Sequence, residues 1–493
     1  MTSPSETEPQ QLDDNLLDPA NWEEFRSFLH ELSDDVTTHL KDIRQKRVWT
    51  RPTPDVYDAF RSDIPVEGKG VDATYEEFKT NILPHIAGNI HPRFWGWVVG
   101  SGAPSSMVGD WLAAFVNGVP TIFDESARLT EIQIIDWIKS LFGFDDEASG
   151  VLTTGVSEST LIALVAARHS VLGEVGKQKG LYGIDADPVF YLCDQTHDSS
   201  RKAIEIMGFG SDHIQTIASD DQFQMKPDLL ADQIKNDLQQ GRKPIAVIAT
   251  VGTVGTGAFD DLEAIGAICK KENIWLHVDG AFGVWAILSE TKKDNVRGLE
   301  YADSLVFDMH KWMYQSYDIG CVLVRSAVKH RRSLQVSANY LDQIEGTLRN
   351  VSKDLCDYTI QLSRGFKALK FWFSLKSEGL SSFAKAIDHN IDCADYLTRR
   401  IEQSPNLELL APTSLNVVNF RYLAVGKTNE ELNKINTELV RRLNSDGVAV
   451  PSSLIFDGKF AIRIAISNHR TNRNDIDLML DHVLENGALV SGA

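Results

Sequence analysis

The sequence predicts an α/β protein whose main part is a mostly parallel sheet with helices on both faces. From about residue 150, short apolar runs rich in β-branched residues alternate with segments of helical periodicity. This alternation is typical of parallel sheets, whose strands are covered on both faces and are therefore apolar throughout. Beyond about residue 365, long helices are followed by isolated strands, which predicts a smaller α+β domain.

Composition excludes several classes of function. The 493 residues carry 49 Lys and Arg against 69 Asp and Glu, a net charge of −20, so we expect no binding to nucleic acid or to an anionic membrane. No apolar run reaches the roughly 18 residues of a membrane-spanning helix. The acidic start lacks a signal-peptide pattern, and five scattered cysteines without a Cys-x-x-Cys pair predict a reduced, cytoplasmic protein.

The first predicted element is a helix that follows a flexible tail. Residues 1–20 are polar and acidic, and apolar residues then recur at three- and four-residue steps from Trp22 to Ile43. Pro52 and Pro54 interrupt the pattern because proline resists helix. The helix must bury its apolar face within the chain or against a partner subunit, and the pattern alone favours neither.

Five apolar runs are predicted as buried strands, with helices between several of them. The predicted strands are 189–192, 245–249, 274–276, 304–307 and 321–324. The predicted helices are 161–168, 228–239 and 262–272, followed in the smaller domain by helices 366–377 and 382–404 and strands 416–420 and 460–464. Ligands of such sheets bind beyond the carboxyl ends of the strands, so polar residues there are the candidates for chemistry.

Three strands lead to side chains suited to catalysis. The third continues into His277 and Asp279, which lie on the same side of an extended chain. The fourth leads to Lys311, and an apolar strand that ends on a lysine could supply the desolvated amine of Schiff-base chemistry. The first leads to His197, and residues 153–160 open a helix with glycine and hydroxyl groups, which suit a phosphate. Each feature alone is more often an ordinary helix cap or strand end.

Two other interpretations, a dinucleotide-binding loop and a metal site, are not favoured. Residues 252–257 are rich in glycine, but their spacing differs from G-x-G-x-x-G, and two aspartates follow where a pyrophosphate would need a clear helix start. His277 and Asp279 have no third ligand at a suggestive spacing, so we expect no metal.

Taken together, the motifs resemble a known family, the group II PLP-dependent amino-acid decarboxylases. The resemblance extends from about Trp22 to Leu484 and is carried by His91–Phe94, Thr154–Thr160, His277–Ala281 and His310–Trp312. It implies the aspartate aminotransferase fold (fold type I) with a seven-stranded sheet, pyridoxal 5′-phosphate (PLP) as cofactor, and a homodimer.

The resemblance also implies catalytic roles. Lys311 would hold PLP as an internal aldimine, and Asp279 would keep the pyridine nitrogen protonated so that the ring accepts the electrons left by CO₂. His197 would stack on the cofactor ring. Tyr340 would lie on a mobile loop and protonate the resulting carbanion, which favours an amine product.

The residues implied around the cofactor differ from those common in the family at two positions, one of which carries a charge. Asp308 stands where the family commonly has an asparagine near the phosphate, and Gly280 replaces a common alanine. The implied cofactor-binding residues are Val156, Ser157, His197, Asp279, Ala281, Asp308, His310 and Lys311.

The substrate is predicted from the segment after the His-Pro-Arg motif. Phe94, Trp95 and Trp97 are large rings, which suit an aromatic or apolar amino acid, although they are equally typical of a core. We therefore expect decarboxylation of such an L-amino acid to its amine. The alternatives are an aldehyde synthase or oxidase-like PLP enzyme, and a non-catalytic, decarboxylase-like binding protein.

The expected organisation follows from these assignments. Residues 1–20 are a tail, and residues 21–95 are helical and dock on the partner subunit. Residues 96–365 form the large PLP-binding domain, and residues 366–493 form the small α+β domain.

Overall fold

Residues 17–121, 123–335 and 354–492 are described by the computed structural model of the chain, which divides into two units, Met1–Ile86 and Ala87–Ala493. The first unit contains helices α1 (Trp22–Lys41), α2 (Pro54–Ala59) and α3 (Val71–Glu77). The Asn21 side chain caps α1 by accepting hydrogen bonds from the N–H groups of Glu23 and Glu24. The predicted first helix is confirmed, and none of its described residues, Trp22 to Lys41, is buried.

The second unit contains the remaining helices and all strands of the described residues. The helices are α4 (Pro104–Val116), α5 (Ser126–Phe142), α6 (Val156–Lys179), α7 (Asp198–Ile206), α8 (Pro227–Gln239), α9 (Leu262–Glu272), α10 (Ala327–Leu334), α11 (Ala368–Glu378), α12 (Leu380–Glu402), α13 (Asn429–Ser445) and α14 (Arg473–Ser491). The strands are β1 (Phe94–Trp95), β2 (Ser149–Thr153), β3 (Asp187–Cys193), β4 (Ile214–Ile217), β5 (Arg242–Thr250), β6 (Trp275–Asp279), β7 (Ser304–Asp308), β8 (Gly320–Val324), β9 (Leu407–Leu409), β10 (Val417–Tyr422), β11 (Val450–Phe456) and β12 (Lys459–Ala465). Every strand and helix predicted from the sequence lies within or overlaps one of these elements. Among the described residues, no helix combines the length and apolar character needed to cross a bilayer.

Seven strands form the large sheet in the order β2-β8-β7-β6-β5-β3-β4. Strand β8 is antiparallel to both of its neighbours, and the other pairs are parallel, so the predicted mostly parallel seven-stranded sheet is confirmed. Alternate residues of a strand enter different cores: Tyr191 belongs to the cluster that includes α8, whereas Leu192 belongs to the cluster that includes α6. Helices therefore cover both faces, which explains the continuous apolar runs.

The strand directions bring the candidate residues to one place. Strands β3, β5, β6 and β7 are parallel, so their carboxyl ends lie at the same side of the sheet. Strand β2 is antiparallel to β8, which is antiparallel to β7, and β2 therefore ends at this side too. We call this side the carboxyl edge. It collects Thr153, Cys193, Thr250, Asp279 and Asp308, the last residues of five strands.

A second, five-stranded sheet has the order β1-β11-β12-β10-β9 and confirms the predicted α+β character of the C-terminal part. The short strand β1 joins it in parallel, with Phe94 opposite Val450 and Trp95 opposite Pro451. Residues far apart in the sequence thus share one small sheet.

A buried ion pair supports the outer strand β2. The side chains of Glu131 and Arg364 are 0% and 1% exposed and form an ion pair. Glu131 accepts a hydrogen bond from the Leu152 N–H at 3.0 Å, and Arg364 donates to the Leu152 carbonyl at 2.7 Å. Leu152 lies on the free side of the sheet, so the pair takes the place of a neighbouring strand and satisfies backbone groups that burial would otherwise leave unpaired.

Replacing Glu131 by alanine is expected to destabilise the protein by about 3–5 kcal/mol, because it leaves the Arg364 guanidinium charged, buried and without its carboxylate. Thermal denaturation followed by circular dichroism measures the loss. Arg441→Ala, which removes an exposed pair with Glu438, is the control and is expected to leave the midpoint nearly unchanged. A Glu131→Ala protein as stable as the control would contradict this account of the pair.

Candidate active site

A cavity of about 520 Å³ opens at the carboxyl edge of the large sheet. Nine of the twelve site residues predicted from the sequence line it, although they come from elements spread over more than 200 residues. They are Trp97, Val156, Ser157, His197, Asp279, Ala281, Asp308, His310 and Lys311. Phe94 and Trp95 do not line the cavity, and Tyr340 lies outside the described residues.

Asp279 ends β6 at the floor of the cavity and is 2% exposed. One of its carboxylate oxygens accepts a hydrogen bond from the Ala281 N–H at 3.0 Å. Burial raises the pKa of Asp279, and the nearby Lys311 and His197 oppose that rise. The carboxylate is therefore placed to stabilise a positive charge on a group bound above it.

Lys311 follows β7 by three residues and carries the candidate amine. Its Nζ atom lies 3.0 Å from Oδ2 of Asp308, and its side chain is 23% exposed, whereas that of Asp308 is 4% exposed. The amine is thus open to the cavity on one side and paired on the other. Such an amine is accessible for condensation with a carbonyl compound.

The amino terminus of α6 forms a third side of the cavity. The Val156 N–H donates to Oδ1 of Asp308 at 2.8 Å, and Glu158 accepts from the N–H and hydroxyl of Thr154 at 2.9 and 2.8 Å. A Cβ on Gly320 would lie 2.6 Å from the Cα of Gly155, so glycine is required there for β8 to approach this turn. The exposed N–H groups of a helix start are the usual donors for a phosphate.

Two histidines are held by backbone N–H groups. His197 caps α7, and its Nδ1 atom accepts from the Ser199 N–H at 3.1 Å. Nδ1 of His310 accepts from the Ile319 N–H at 3.1 Å, so the proton of the neutral ring is on Nε2, 3.6 Å from Asp308 Oδ2. Burial lowers the pKa of His310, which favours this neutral form.

The three predicted substrate-binding rings have different environments. Trp97 is 61% exposed at the cavity mouth, and its backbone adopts φ = 53°. Trp95 belongs to the core of the small sheet, where its Nε1 donates to the Thr471 hydroxyl at 3.1 Å. Phe94 is also buried, with its ring centroid 6.5 Å from that of Trp97. Only Trp97 of the three reaches the cavity, because β1 directs its neighbours into the small sheet.

His277, singled out with Asp279 in the sequence, does not line the cavity. It is fully buried within β6, and its Nδ1 atom lies 2.9 Å from the Ser304 hydroxyl. Burial lowers its pKa to about 3, so the ring is neutral. Among the described residues, no group of three or more His, Cys, Asp or Glu side chains is arranged to hold a metal ion.

Several lining residues were not predicted from the sequence. Thr250 is the last residue of β5, Val254 lies in the glycine-rich segment 252–257 that was not assigned to a site, and Tyr317 lies between β7 and β8. Arg463 supports this wall from β12: it hydrogen-bonds to the Val254 carbonyl and donates to the Ser452 hydroxyl at 2.8 Å. The alternation of β12 marked Arg463 as a strand residue, but no sequence pattern relates it to Val254.

Comparison with known proteins identifies the family. A family model described as the pyridoxal-dependent decarboxylase conserved domain matches residues 55–423. The chain is 32% identical to an aromatic-L-amino-acid decarboxylase of Bacillus atrophaeus over 92% of this chain and 93% of that protein. It is 31% identical to a histidine decarboxylase of Drosophila melanogaster, over 92% of this chain and 54% of that protein. It is 27% identical to a phenylacetaldehyde synthase of Arabidopsis thaliana, over 94% and 95% of the two chains.

The fold has a solved counterpart. The TDC of Oryza sativa, solved with PLP and tryptamine, superposes with a TM-score of 0.88 at 24% identity, covering 96% of this chain and 99% of that one. The predicted type I fold is thereby confirmed.

The residues of the cavity fit PLP, the cofactor of this family. The group needs an amine for its aldehyde, an anion for its ring nitrogen and donors for its phosphate. Lys311, the buried Asp279 and the first turn of α6 all line this cavity and would supply these groups. The chain belongs to the pyridoxal-dependent decarboxylase family, with PLP as its cofactor and carboxy-lyase activity on an amino acid as its reaction class.

Proposed function

We propose that the protein converts an aromatic or apolar L-amino acid into the corresponding amine and CO₂. The observation that carries the proposal is the convergence of Lys311, Asp279 and the α6 amino terminus on one cavity, with Trp97 at its mouth. The large, partly exposed ring of Trp97 at the entrance favours substrates with an apolar side chain. Contact between the ring and that side chain removes apolar surface of both groups from water.

Lys311 is proposed as the residue that binds the cofactor and exchanges it with the substrate amino group. When bound, PLP supplies an electron-withdrawing ring that accepts the electron pair released with CO₂. Before cofactor binding, the ammonium of Lys311 is stabilised by Asp308 at 3.0 Å. Condensation requires loss of that proton, and the carboxylate of Asp308 lies beside the amine to receive it.

Asp279 is proposed to hold a proton on the ring nitrogen of the cofactor. Its burial makes an unpaired negative charge unfavourable, so a charge-assisted hydrogen bond to a cationic ring is strongly favoured. His197, fixed by the Ser199 N–H, and Ala281 line the same part of the cavity. A flat imidazole and a small methyl group suit the two faces of a planar ring.

Tyr340 is proposed to deliver the proton that completes amine formation. The assignment depends on the family resemblance alone, because the residue lies outside the described part of the chain. The second candidate, an aldehyde-forming enzyme, is favoured by the likeness to the phenylacetaldehyde synthase. The two reactions diverge at this step, since a carbanion that is not protonated can react with oxygen.

We also propose that the protein is a homodimer. Helix α4 exposes Met107, Trp111, Leu112, Phe115 and Val116, with Phe115 81% and Trp111 59% exposed. A continuous apolar helix face of this size marks an interaction surface. Helix α1, none of whose residues is buried and which exposes Trp22, is proposed as a second contact with the partner subunit. The cysteines of the described residues form no disulfide, which supports a reducing, cytoplasmic location.

Lys311→Ala is expected to abolish turnover, by about 10³-fold or more, because Lys311 is the single lysine among the described residues that line the cavity. Borohydride reduction of the PLP-loaded wild type should attach the cofactor covalently, which intact mass spectrometry detects, and the variant should remain unmodified. Lys434→Ala, which removes an exposed lysine paired with Glu430, is the control. A variant that still turns over and is still labelled at this cavity would refute the role of Lys311.

The identity of the product tests the proposed reaction. Incubation of the PLP-loaded protein in air with a pool of L-amino acids that includes Trp, Tyr, Phe, His, Leu and Glu should yield an amine from an aromatic or apolar member. Tyr340→Phe should shift the product towards the aldehyde, with oxygen consumption, since the carbanion lacks its proton donor. Mass spectrometry and an oxygen electrode measure both. An aldehyde from the wild type would favour the second candidate, and an amine from glutamate would contradict the proposed substrate class.

Phe115→Glu is expected to weaken the dimer, because dimerisation would bury a charge within the apolar face of α4. Sedimentation velocity should find wild type at twice 54.9 kDa and the variant shifted towards the monomer at micromolar concentration. Val425→Glu changes a fully exposed apolar residue elsewhere and is the control. A monomeric wild type would refute the dimer.

A further inference from the structure

Asp308 occupies the positions that the cofactor needs. Its Oδ1 atom accepts the Val156 N–H at 2.8 Å, and its Oδ2 atom lies 3.0 Å from Nζ of Lys311 and 3.6 Å from Nε2 of His310. The side chain of Asp308 is 4% exposed, so little water is available to screen the repulsion between its carboxylate and a nearby anion. One buried carboxylate thus contacts both the helix start proposed for the phosphate and the amine proposed for the aldehyde.

The cavity offers little positive charge to balance an entering phosphate. Among the described residues that line it, Lys311 is the single Lys or Arg, whereas Glu158, Asp279 and Asp308 are three carboxylates. Two of these already accept from backbone N–H groups at the start of α6: Glu158 from the Thr154 N–H just before the helix, and Asp308 from the Val156 N–H. His310 adds no charge, since burial lowers its pKa.

We propose that Asp308 is an internal anion that competes with the cofactor phosphate for the amino terminus of α6 and weakens phosphate-dependent retention of the cofactor. The inference depends on the proposed placement of PLP on Lys311 and α6. Without cofactor, Asp308 neutralises the Lys311 ammonium and caps the helix, so the empty site needs no external anion. When PLP binds, its phosphate must share the Val156 N–H with the Asp308 carboxylate, and both groups are negatively charged.

Two consequences follow from this competition. The cofactor should dissociate from the holoenzyme more readily than it would from a site with a neutral side chain at position 308. Inorganic phosphate, which is held by the same donors, should be a poor competitor of PLP loading. The protein would then exchange between loaded and empty forms according to the supply of PLP.

The test compares wild type with Asp308→Asn, which keeps an oxygen acceptor for the Val156 N–H and removes the charge. Tryptophan fluorescence gives the dissociation constants of PLP and of pyridoxal, which lacks the phosphate. We expect the variant to bind PLP about tenfold more tightly and pyridoxal unchanged. We also expect the inhibition constant of inorganic phosphate against PLP loading to be about tenfold lower for the variant than for wild type.

Matched measurements separate this effect from others. Asp294→Asn removes the same charge from an exposed surface pair with Arg297 and should leave PLP affinity unchanged. If loss of the Lys311 ion pair alone altered binding, PLP and pyridoxal would change by the same factor, which would overturn the proposal. Equal or weaker PLP binding by Asp308→Asn would also overturn it. Failure of borohydride to link PLP to Lys311 in wild type would instead refute the proposed function, and this inference with it.

Discussion

The candidate site depends on one constraint, the direction that six of the seven strands in the large sheet share. Because β2, β3, β5, β6 and β7 all end at the carboxyl edge, residues separated by more than 100 positions in the sequence meet in one cavity. Strand β8 makes this possible by running antiparallel between β2 and β7. The ion pair of Glu131 and Arg364 then satisfies the outer side of β2, the strand that leads directly into the α6 turn.

The charges around the cavity come mainly from buried carboxylates and not from an excess of lysine and arginine side chains. Asp279 and Asp308 are both nearly inaccessible, and each accepts one backbone N–H, Asp279 from Ala281 just after its own strand and Asp308 from Val156 at the start of α6. Lys311 is the partner of Asp308 and raises the local positive potential near Asp279. The Lys311 amine is thus the positive group of a small network of charges. Any group that reacts with this amine removes its positive charge and must therefore balance the negative charges of two buried carboxylates.

The sequence predicted the regular elements well because burial on both faces produces uninterrupted apolar runs, as in Ile245–Ala249. It also predicted that groups at or just after strand ends, such as Asp279 and Lys311, lie together, since parallel topology fixes the edge of the sheet at which the strands end. It failed to separate Trp97 from Trp95, because the pairing of β1 with β11 is a contact between residues more than 350 positions apart. For the same reason, nothing in the pattern related Arg463 to the Val254 loop.

These distant contacts suggest how specificity is separated from catalysis in this fold. The wall around Trp97 is supported from the small sheet: Ser452 accepts from the Trp97 N–H at 3.1 Å, and Arg463 links Ser452 to the Val254 carbonyl. The catalytic candidates, by contrast, are held within the large sheet by their own strand ends. A substitution in the small sheet is therefore expected to displace the wall proposed to bind substrate while Lys311 and Asp279 keep their positions, whereas a substitution at the carboxyl edge changes the residues proposed for catalysis.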